Sequence, residues 1–301
     1  KKSKLSRGEG QAEGWLSRSR SAGMRKPKLL QAVLSVFLLC VLCTCFSLSK
    51  PLSFYKKGAT RDRNELCVIV RYYSGQRDAF LSLLSSVYAL ESDVLIKIVI
   101  TEPKVADYRK SVGDVVQAVT SLNRYFGPAN TTRIELSSFN YHSSSTISYR
   151  AENQKCAEND YGYALTDMEL DNLVKQDTCK YIMVTNGDNL YNSGLMKETR
   201  PMRQQGIDLI GFFFISRYPF PQKVPIRDST SPNTLYRSRL NLGGIDLGAC
   251  MFKSSVFRDN NLRFCKVKGN VHESDGNLIE QVAKDRMYKA EVLDQIMFMH
   301  Q

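Results

Sequence analysis

The sequence lacks several patterns that would assign it to a common class of protein. No Gly-x-Gly-x-x-Gly follows its first apolar run after the N-terminal region, so a dinucleotide-binding fold is disfavoured. A glycine-rich phosphate loop is also missing, which argues against a cytosolic nucleotidyltransferase. The cysteines do not have the spacing of a zinc ribbon, and no internal repeat is evident. Histidine is scarce, with three residues in a chain of 301.

Charged side chains are missing from residues 29–48, and an apolar run of about 20 residues is long enough to span a bilayer. Residues 1–28 contain nine Lys/Arg and two Asp/Glu, whereas residues 49–63 contain five and one. This bias predicts a cytosolic N-terminus and a luminal remainder. The alternative is a cleaved signal peptide, whose apolar core is usually shorter, at about 7–15 residues.

These features predict four segments. Residues 1–28 are a cytosolic tail, of which residues 1–23 are either disordered or not translated in the cell, and residues 29–48 are a transmembrane signal anchor. Residues 49–64 form a short stem, and residues 65–301 form the luminal domain. The tail contributes +7 (nine minus two) of the net charge of +12, so the remainder carries +5. Nucleic-acid binding therefore loses most of its support.

Five cysteines lie outside the apolar run, at positions 67, 156, 179, 250 and 265. A luminal compartment permits disulfides, and an odd number leaves at least one cysteine unpaired or intermolecular. Asn130-Thr131-Thr132 is a glycosylation sequon, which agrees mildly with a luminal location.

The luminal part begins with a strand, a helix and a strand. Leu66–Val70 is a continuous apolar run, apolar residues from Phe80 to Leu90 recur at helical spacing, and Val94–Ile100 is a second apolar run. This order predicts a βαβ unit and a parallel sheet. A helix over residues 104–125, a strand over 133–136, a serine-rich loop over 137–148 and a helix over 163–174 follow.

Residues 179–191 give the clearest indication of a site. A buried strand, Tyr181–Thr185, runs into an Asn-Gly turn, and Asp188 follows directly. Open α/β sheets bind their ligands at the carboxyl ends of their strands. The oxygens of Asp188 and Asn186 are suited to Mn²⁺ or Mg²⁺, and such an ion can hold a diphosphate. The alternative is an ordinary turn.

This stretch resembles the strand and DxD element of GT-A-fold glycosyltransferases, with Asn186-Gly187-Asp188 in the DxD place and the first acid replaced by Asn. The resemblance extends over roughly residues 65–300 and includes Asp208–Phe214, Leu242–Phe252, His272–Leu278 and Met297–His300. It implies an α/β, GT-A-like fold with a mixed, mostly parallel sheet flanked by helices, and an N-terminal transmembrane helix.

The resemblance also implies roles for residues near the DxD place. Asn186 and Asp188 would bind the metal and the nucleotide donor, and His300, at the end of the last strand, would be a third metal ligand. Asp275 would be the general base of an inverting enzyme, with Glu273 as the substitute. Asp275 alternatively caps a helix, and His300 is alternatively a surface residue near a terminus.

Three further residues are candidates for donor binding. Glu102, at the end of the second strand, would accept a hydrogen bond from a ribose or a uracil. Tyr72 would stack on the base and Arg71 would approach a phosphate. Ordinary loop roles are the alternative for Arg71 and Tyr72.

The function implied is metal-dependent transfer of a sugar from a nucleotide-diphosphate sugar to a glycan, glycoprotein or glycolipid acceptor. The implied location is the Golgi or endoplasmic reticulum membrane, in a single-pass type II arrangement. The alternative is a catalytically inactive GT-A-like protein that binds a glycan or a partner, and the replacement of the first acid by Asn186 favours it.

Overall fold

A computed structural model of the protein describes residues 63–90, 93–126, 132–157, 160–216 and 234–300. The sheet is continuous and has nine strands in this part of the chain. The strands are β1 (Asn64–Tyr72), β2 (Val94–Ile100), β3 (Arg133–Leu136), β4 (Cys179–Asn186), β5 (Leu190–Tyr191), β6 (Leu209–Ser216), β7 (Thr234–Tyr236), β8 (Cys250–Lys253) and β9 (Ala290–His300).

Helices flank this sheet. They are α1 (Arg77–Tyr88), α2 (Val105–Phe126), α3 (Ser144–Glu152), α4 (Tyr163–Lys175), α5 (Leu195–Glu198), α6 (Arg200–Gln204), α7 (Ser254–Asp259) and α8 (Ser274–Lys284). Short 3₁₀ turns lie at Ser74–Gln76, Gln154–Cys156, Leu247–Ala249 and Val271–Glu273.

The strand order is β3-β2-β1-β4-β8-β6-β9-β5, and β7 pairs with β6. The first four strands are parallel, whereas β8 enters between β4 and β6 in the opposite direction. Within the described residues, four strand pairs are parallel and four are antiparallel, so the sheet is mixed rather than mostly parallel. This mixed α/β sheet with flanking helices fits the GT-A-like arrangement that the sequence predicts.

The core is formed by apolar residues of the strands and by the apolar faces of the helices that pack on them. Leu66–Val70 is buried throughout because β1 lies inside the parallel half and is covered on both faces. Helix α1 buries Phe80, Leu83, Leu84 and Val87, which are the i, i+3, i+4 and i+7 positions of one helix face. These elements fix the carboxyl ends of β1, β2 and β4 at one edge of the sheet.

One loop prediction is wrong. The serine-rich segment 137–148, predicted to be a loop, contains the start of α3. Ser143 caps this helix, and its Oγ accepts a hydrogen bond from the Thr146 N–H at 3.3 Å. Serine is unfavourable inside helices and favourable at their first capping position, so its abundance there is compatible with a helix start.

The membrane prediction falls outside the described residues. The chain divides into residues 1–50 and 51–301, and every described residue belongs to the second unit. Over the described ranges, no helix combines the length and apolar character needed to cross a bilayer. The apolar run 29–48, the stem up to residue 62 and Asn130 of the sequon lie outside those ranges.

Two disulfides join distant segments of the chain. Cys67 on β1 pairs with Cys179 on β4, and Cys156 pairs with Cys265. Cys250 is buried and unpaired. The five cysteines of this region therefore give two bridges and one free thiol, in agreement with the expectation that an odd number leaves one over.

Candidate functional site

A cavity of about 750 Å³ opens at the carboxyl ends of the parallel strands. Arg71 at the end of β1, Glu102 just after β2, and Asn186 and Asp188 at the end of β4 all line it. The structure therefore brings together four of the residues that the sequence predicts for donor binding.

Arg71 and Asn186 are direct partners across the sheet. They face each other in the parallel register of β1 and β4, and Arg71 Nε donates to Asn186 Oδ1 at 3.1 Å. The Arg71 Nη1 donates to the Tyr161 carbonyl at 3.4 Å, and the guanidinium carbon lies 4.9 Å from the centre of the Tyr163 ring. Arg71 is buried, at 9% exposure, so these contacts hold its charged group inside the cavity wall.

Asp188 is positioned by a glutamine that the sequence did not single out. Gln76 Nε2 donates to Asp188 Oδ1 at 3.2 Å, while Gln76 Oε1 accepts from the Gly187 N–H at 3.2 Å. Glycine is required between Asn186 and Asp188, because a Cβ on Gly187 would lie 2.8 Å from Gln76 Oε1 and 3.0 Å from the ring of Tyr72. Gln76 carries no local motif, so only the folded arrangement identifies it.

Glu102 lines the cavity while one of its oxygens is held by the protein. Its Oε1 accepts from the Ser74 N–H at 2.6 Å and from the Ser111 hydroxyl at 3.1 Å. These bonds fix the carboxylate on the wall next to the turn that follows β1, which is compatible with the predicted contact to a ribose or a base.

Tyr72 occupies a different place from the one its predicted role requires. The residue is completely buried, its ring packs 4.2 Å from that of Phe80, and its hydroxyl donates to Asp114 Oδ2 at 3.3 Å. Side chains alternate between the two faces of a strand, and the face of Tyr72 is the core. The next residue, Tyr73, is 46% exposed and lines the cavity, so it has the position that stacking on a base requires.

Asp275 lies in the first turn of α8, half-buried, and its Oδ1 accepts from the Gly276 N–H at 2.8 Å. Burial raises the pKa of this carboxyl, the Gly276 N–H and the Arg71 charge lower it, and Asp246 raises it. The helix-capping position belongs to Glu273, whose side chain makes no capping bond and is exposed. Asp275 is thus not the capping residue, and it is not among the residues that line the cavity, although the Arg71 charge lowers its pKa.

His300 lies with residues other than Asn186 and Asp188. Its Nδ1 is 3.2 Å from Ser216 Oγ and 3.9 Å from Asp246 Oδ2. Asp246, for which the sequence suggested no role, caps the following turn by accepting from the Gly248 N–H at 2.8 Å. The negative charge of Asp246 also raises the pKa of Asp275.

The donor set suits a resident divalent cation poorly. Among the described residues, no three His, Cys, Asp or Glu side chains are grouped to hold a metal ion. Asn186 Oδ1 accepts from a guanidinium, which brings positive charge to the oxygen that a metal would need. Asp188 remains as a carboxylate at the turn, where Gln76 Nε2 donates to its Oδ1, and His300 contacts Ser216 and Asp246.

An aromatic pair, Tyr161 and His272, also lines the cavity. Tyr161 has a left-handed backbone, with φ of 53°, and its ring lies 4.7 Å from that of His272. Asp160 holds this turn, because its Oδ1 accepts from the Gly162 N–H at 3.1 Å and its Oδ2 from the Ala164 N–H at 2.9 Å. Left-handed backbone at a non-glycine residue suggests a functional position, a feature that the sequence alone does not reveal.

Comparison with known proteins gives structural similarity without sequence similarity. No known protein family matches this sequence, and no curated protein does. S. aureus TarS 1–349 matches with 12% identity over 79% of this chain and 60% of its own, at a TM-score of 0.45. The mannosyltransferase PcManGT from Pyrobaculum calidifontis, in complex with GDP-Man and Mn²⁺, matches with 11% identity over 90% of this chain and 66% of its own, at 0.46.

A third structure, 4-diphosphocytidyl-2C-methyl-D-erythritol synthase from Anaerococcus prevotii, matches with 14% identity, 77% coverage of this chain, 90% of its own and a TM-score of 0.39. TarS 1–349 was also solved in complex with UDP-GlcNAc. This chain spans about 60% of the length of TarS 1–349 and 36% of the longer TarS structure. Because these TM-scores are low, we base the functional proposal on the residues of the cavity.

Proposed function

We propose that this chain is a glycosyltransferase that moves a sugar from a nucleotide-diphosphate sugar to a glycan or glycoconjugate acceptor. One observation carries the proposal. A buried cation, Arg71, and two carboxylates, Glu102 and Asp188, line one cavity at the carboxyl ends of parallel strands. Such a place binds nucleotides in open α/β sheets, and a cation there suits a diphosphate.

In this proposal the donor lies along the cavity wall. Tyr73 stacks on the base, Glu102 accepts a hydrogen bond from the ribose or base, and Arg71 contacts the diphosphate. The sugar then points towards the side of the cavity where Tyr161 and His272 form the aromatic rim. Aromatic rings suit the apolar faces of sugars, so this rim is a reasonable place for a sugar ring.

Asp275 is the proposed general base. Its ionised carboxylate takes the proton of an acceptor hydroxyl, whose oxygen forms the new bond to the anomeric carbon. The bond from that carbon to the diphosphate oxygen breaks, and the nucleoside diphosphate leaves with the electron pair. A raised pKa suits this role because it strengthens the carboxylate as a base. The Arg71 charge also lowers the pKa of Asp275, which is compatible with a base that serves the same site.

The mechanism proposed here uses no metal-dependent step, because the donor set at Asn186 and Asp188 suits a resident ion poorly. A requirement for Mn²⁺ or Mg²⁺ stays a prediction from the resemblance. Comparison of the reaction in EDTA and in Mn²⁺ tests that requirement directly.

Release of a nucleoside diphosphate from a panel of nucleotide sugars tests the function. The full chain is incubated with UDP- and GDP-sugars, with and without a glycan acceptor, in EDTA and in Mn²⁺. We expect release from at least one donor, faster when a suitable acceptor is present. A panel in which the wild type binds no nucleotide and releases none would contradict the proposal.

A non-catalytic GT-A-like binding protein is the second candidate. The amide of Asn186, where the resemblance expects an acid, and its engagement by Arg71 favour this candidate. The same panel separates the two functions, since a binding protein gives nucleotide binding without release of product.

We also propose a luminal location, with the chain anchored by residues 29–48 in the Golgi or endoplasmic reticulum membrane. The Cys67–Cys179 and Cys156–Cys265 disulfides support an oxidising compartment. In protease protection of intact microsomes, residues 65–301 should stay shielded and Asn130 should carry a glycan. Digestion of this part in sealed vesicles would contradict the proposal.

A further inference from the structure

We infer that the Arg71 guanidinium is the cation that neutralises the donor's diphosphate, in the place where the sequence predicts a divalent metal. Asn186 holds this guanidinium in position. The inference rests on the proposed function and deepens it, since it assigns the charge on which departure of the nucleoside diphosphate depends.

The first support is a buried charge whose direct partners are all neutral. Arg71 contacts the amide oxygen of Asn186, the carbonyl of Tyr161 and the ring of Tyr163. Within the described residues no carboxylate forms an ion pair with Arg71, although Asp275 acts on it from farther away. A buried cation without a close counter-ion is costly, and an anionic ligand relieves that cost.

The second support is the identity of Asn186. A carboxylate at this position would lie about where the amide oxygen is, 3.1 Å from Arg71 Nε, and would cancel the positive charge. The neutral amide orients the guanidinium and leaves its charge available to a ligand. Asn186 in place of the first acid of the DxD pattern therefore suits a site in which an arginine binds the diphosphate. The same replacement is unfavourable for a site in which a metal ion does so.

The third support is the rigidity of the Arg71 environment. Arg71 and Asn186 lie on paired strands, and the Cys67–Cys179 disulfide cross-links the same two strands. The Tyr161 carbonyl and the Tyr163 ring fix the guanidinium from the other side. A planar guanidinium held in this way presents fixed donors to phosphate oxygens, as bidentate recognition requires.

The charge balance of the reaction fits this role. When the bond between the anomeric carbon and the diphosphate oxygen breaks, that oxygen gains negative charge. A fixed cation beside it lowers the energy of the transition state without reorganisation of the site. The acceptor proton goes to Asp275, so Arg71 keeps its own protons throughout.

Calorimetric binding of UDP and GDP, with uridine and guanosine for comparison, tests the inference on the full chain. In EDTA, wild-type protein should bind one nucleoside diphosphate, and Arg71→Met should weaken that binding about 10- to 100-fold, as expected for a charge-assisted hydrogen bond. Arg71→Lys should recover only part of the lost affinity, because the lysine ammonium lacks the paired N–H donors with which a guanidinium binds two phosphate oxygens. Binding of the nucleosides should change little in either variant.

Arg77→Met is the matched control, because Arg77 is exposed, pairs with Asp114 and does not line the cavity. It removes the same charge and should bind UDP and GDP like the wild type. Melting curves of both variants show whether folding is retained, and the lysine variant covers the case in which Arg71→Met does not fold.

Asn186→Asp separates the arginine from the metal most sharply. An arginine-based site predicts that the new carboxylate pairs with Arg71 and weakens diphosphate binding in EDTA by about tenfold or more. A metal-based site predicts tighter binding in Mn²⁺. Binding that needs Mn²⁺ and is insensitive to Arg71 would overturn the inference and leave the proposed function intact. No nucleoside diphosphate binding under any condition would overturn both.

Discussion

The two halves of the sheet are built differently, although they share one core. The donor half, comprising β1–β4, has parallel strands in uninterrupted register, and β1, β2 and β4 end at the cavity edge. The acceptor half, comprising β5–β9, mixes directions, and the pairing of β6 with β9 shifts register around Phe213. Regular pairing gives fixed positions to groups that bind, whereas bulges redirect side chains.

This difference separates binding from chemistry in the proposed enzyme. Arg71 and Asn186 lie on paired strands of the regular half, and Glu102 directly follows β2 of the same half. Asp246, Asp275 and His300 come from three separate segments of the irregular half. Changes in the donor half should therefore alter affinity, and changes in the acceptor half should alter turnover.

The largest expected effect is on turnover. Asp275→Asn removes the proposed base and should lower sugar transfer by about 10²–10⁴-fold, while UDP or GDP binding stays near the wild-type value. Glu273→Gln, at the exposed neighbouring acid, is the control and should transfer at a near-normal rate. Normal transfer by Asp275→Asn would show that this residue is not the base. It would also contradict the assignment of binding to one half of the sheet and of chemistry to the other.

The next effect is a loss of stability, and it concerns the hydrogen bonds that join α4 to the segment after α7. Asp167 of α4 accepts hydrogen bonds from the Phe264 and Cys265 N–H groups at 2.8 Å and from the Tyr149 hydroxyl at 3.1 Å. Asp167→Ala leaves these buried donors unpaired, so the free energy of unfolding should fall by about 2–5 kcal/mol. Urea titration measures the loss.

Asp78→Ala is the control for that experiment, since Asp78 is exposed in the first turn of α1. Its effect on the free energy of unfolding should stay below about 1 kcal/mol. Equal losses in the two variants would show that Asp167 does not join these two segments.

A smaller effect distinguishes two adjacent tyrosines of the donor half. Tyr73→Ala removes the exposed ring from the cavity and should weaken nucleoside diphosphate binding roughly 5- to 100-fold, the usual range for a lost stacking contact. Tyr72→Phe loses only the hydrogen bond to Asp114, so stability should drop by about 1 kcal/mol with unchanged affinity. Wild-type affinity in Tyr73→Ala would contradict the assignment of base stacking to this ring.

The last expected effect is the pH dependence of stability. Burial raises the pKa of Asp167 to about 7, against an ordinary value of 3.8, although its hydrogen bonds and Arg263 oppose this change. The folded state then binds the proton more tightly than the unfolded state. Protonated Asp167 therefore contributes to the free energy of unfolding. This contribution is complete below the ordinary pKa of 3.8 and is lost as the pH rises through about 7.

Urea unfolding across this range should show the decline in the wild type. Asp167→Asn cannot ionise, so its stability should change less with pH over the same interval. Parallel profiles for the two proteins would mean that Asp167 is ionised on both sides of the range and that its hydrogen bonds outweigh burial.

Local patterns predicted most of the donor half. Val94–Ile100 and residues 133–136 have the predicted bounds. The helix at Val105–Phe126 differs from the prediction by one residue at each end, and the helix at Tyr163–Lys175 by one residue at its C-terminus. Apolar periodicity is a local property, and a parallel strand buried on both faces expresses it without interruption.

Local apolar patterns could not predict contacts between segments that are distant in the sequence. The pattern placed Tyr72 at the end of a strand but could not decide which face it takes, and the face belongs to the core. Gln76 and Asp246 gain their positions through residues about 110 and 54 positions away, Gly187 and His300. The helix after Ser143 was missed because its serines resemble a loop in composition.

The left-handed Tyr161 carries an evolutionary consequence. A non-glycine residue in this conformation costs roughly 1–2 kcal/mol, and glycine would adopt it at no steric cost. Glycine would also delete the ring that meets His272 at the cavity rim. In the proposed enzyme, this position therefore gives up some stability to keep a ring at the cavity rim, so a thermostability screen that ignores activity would favour glycine there.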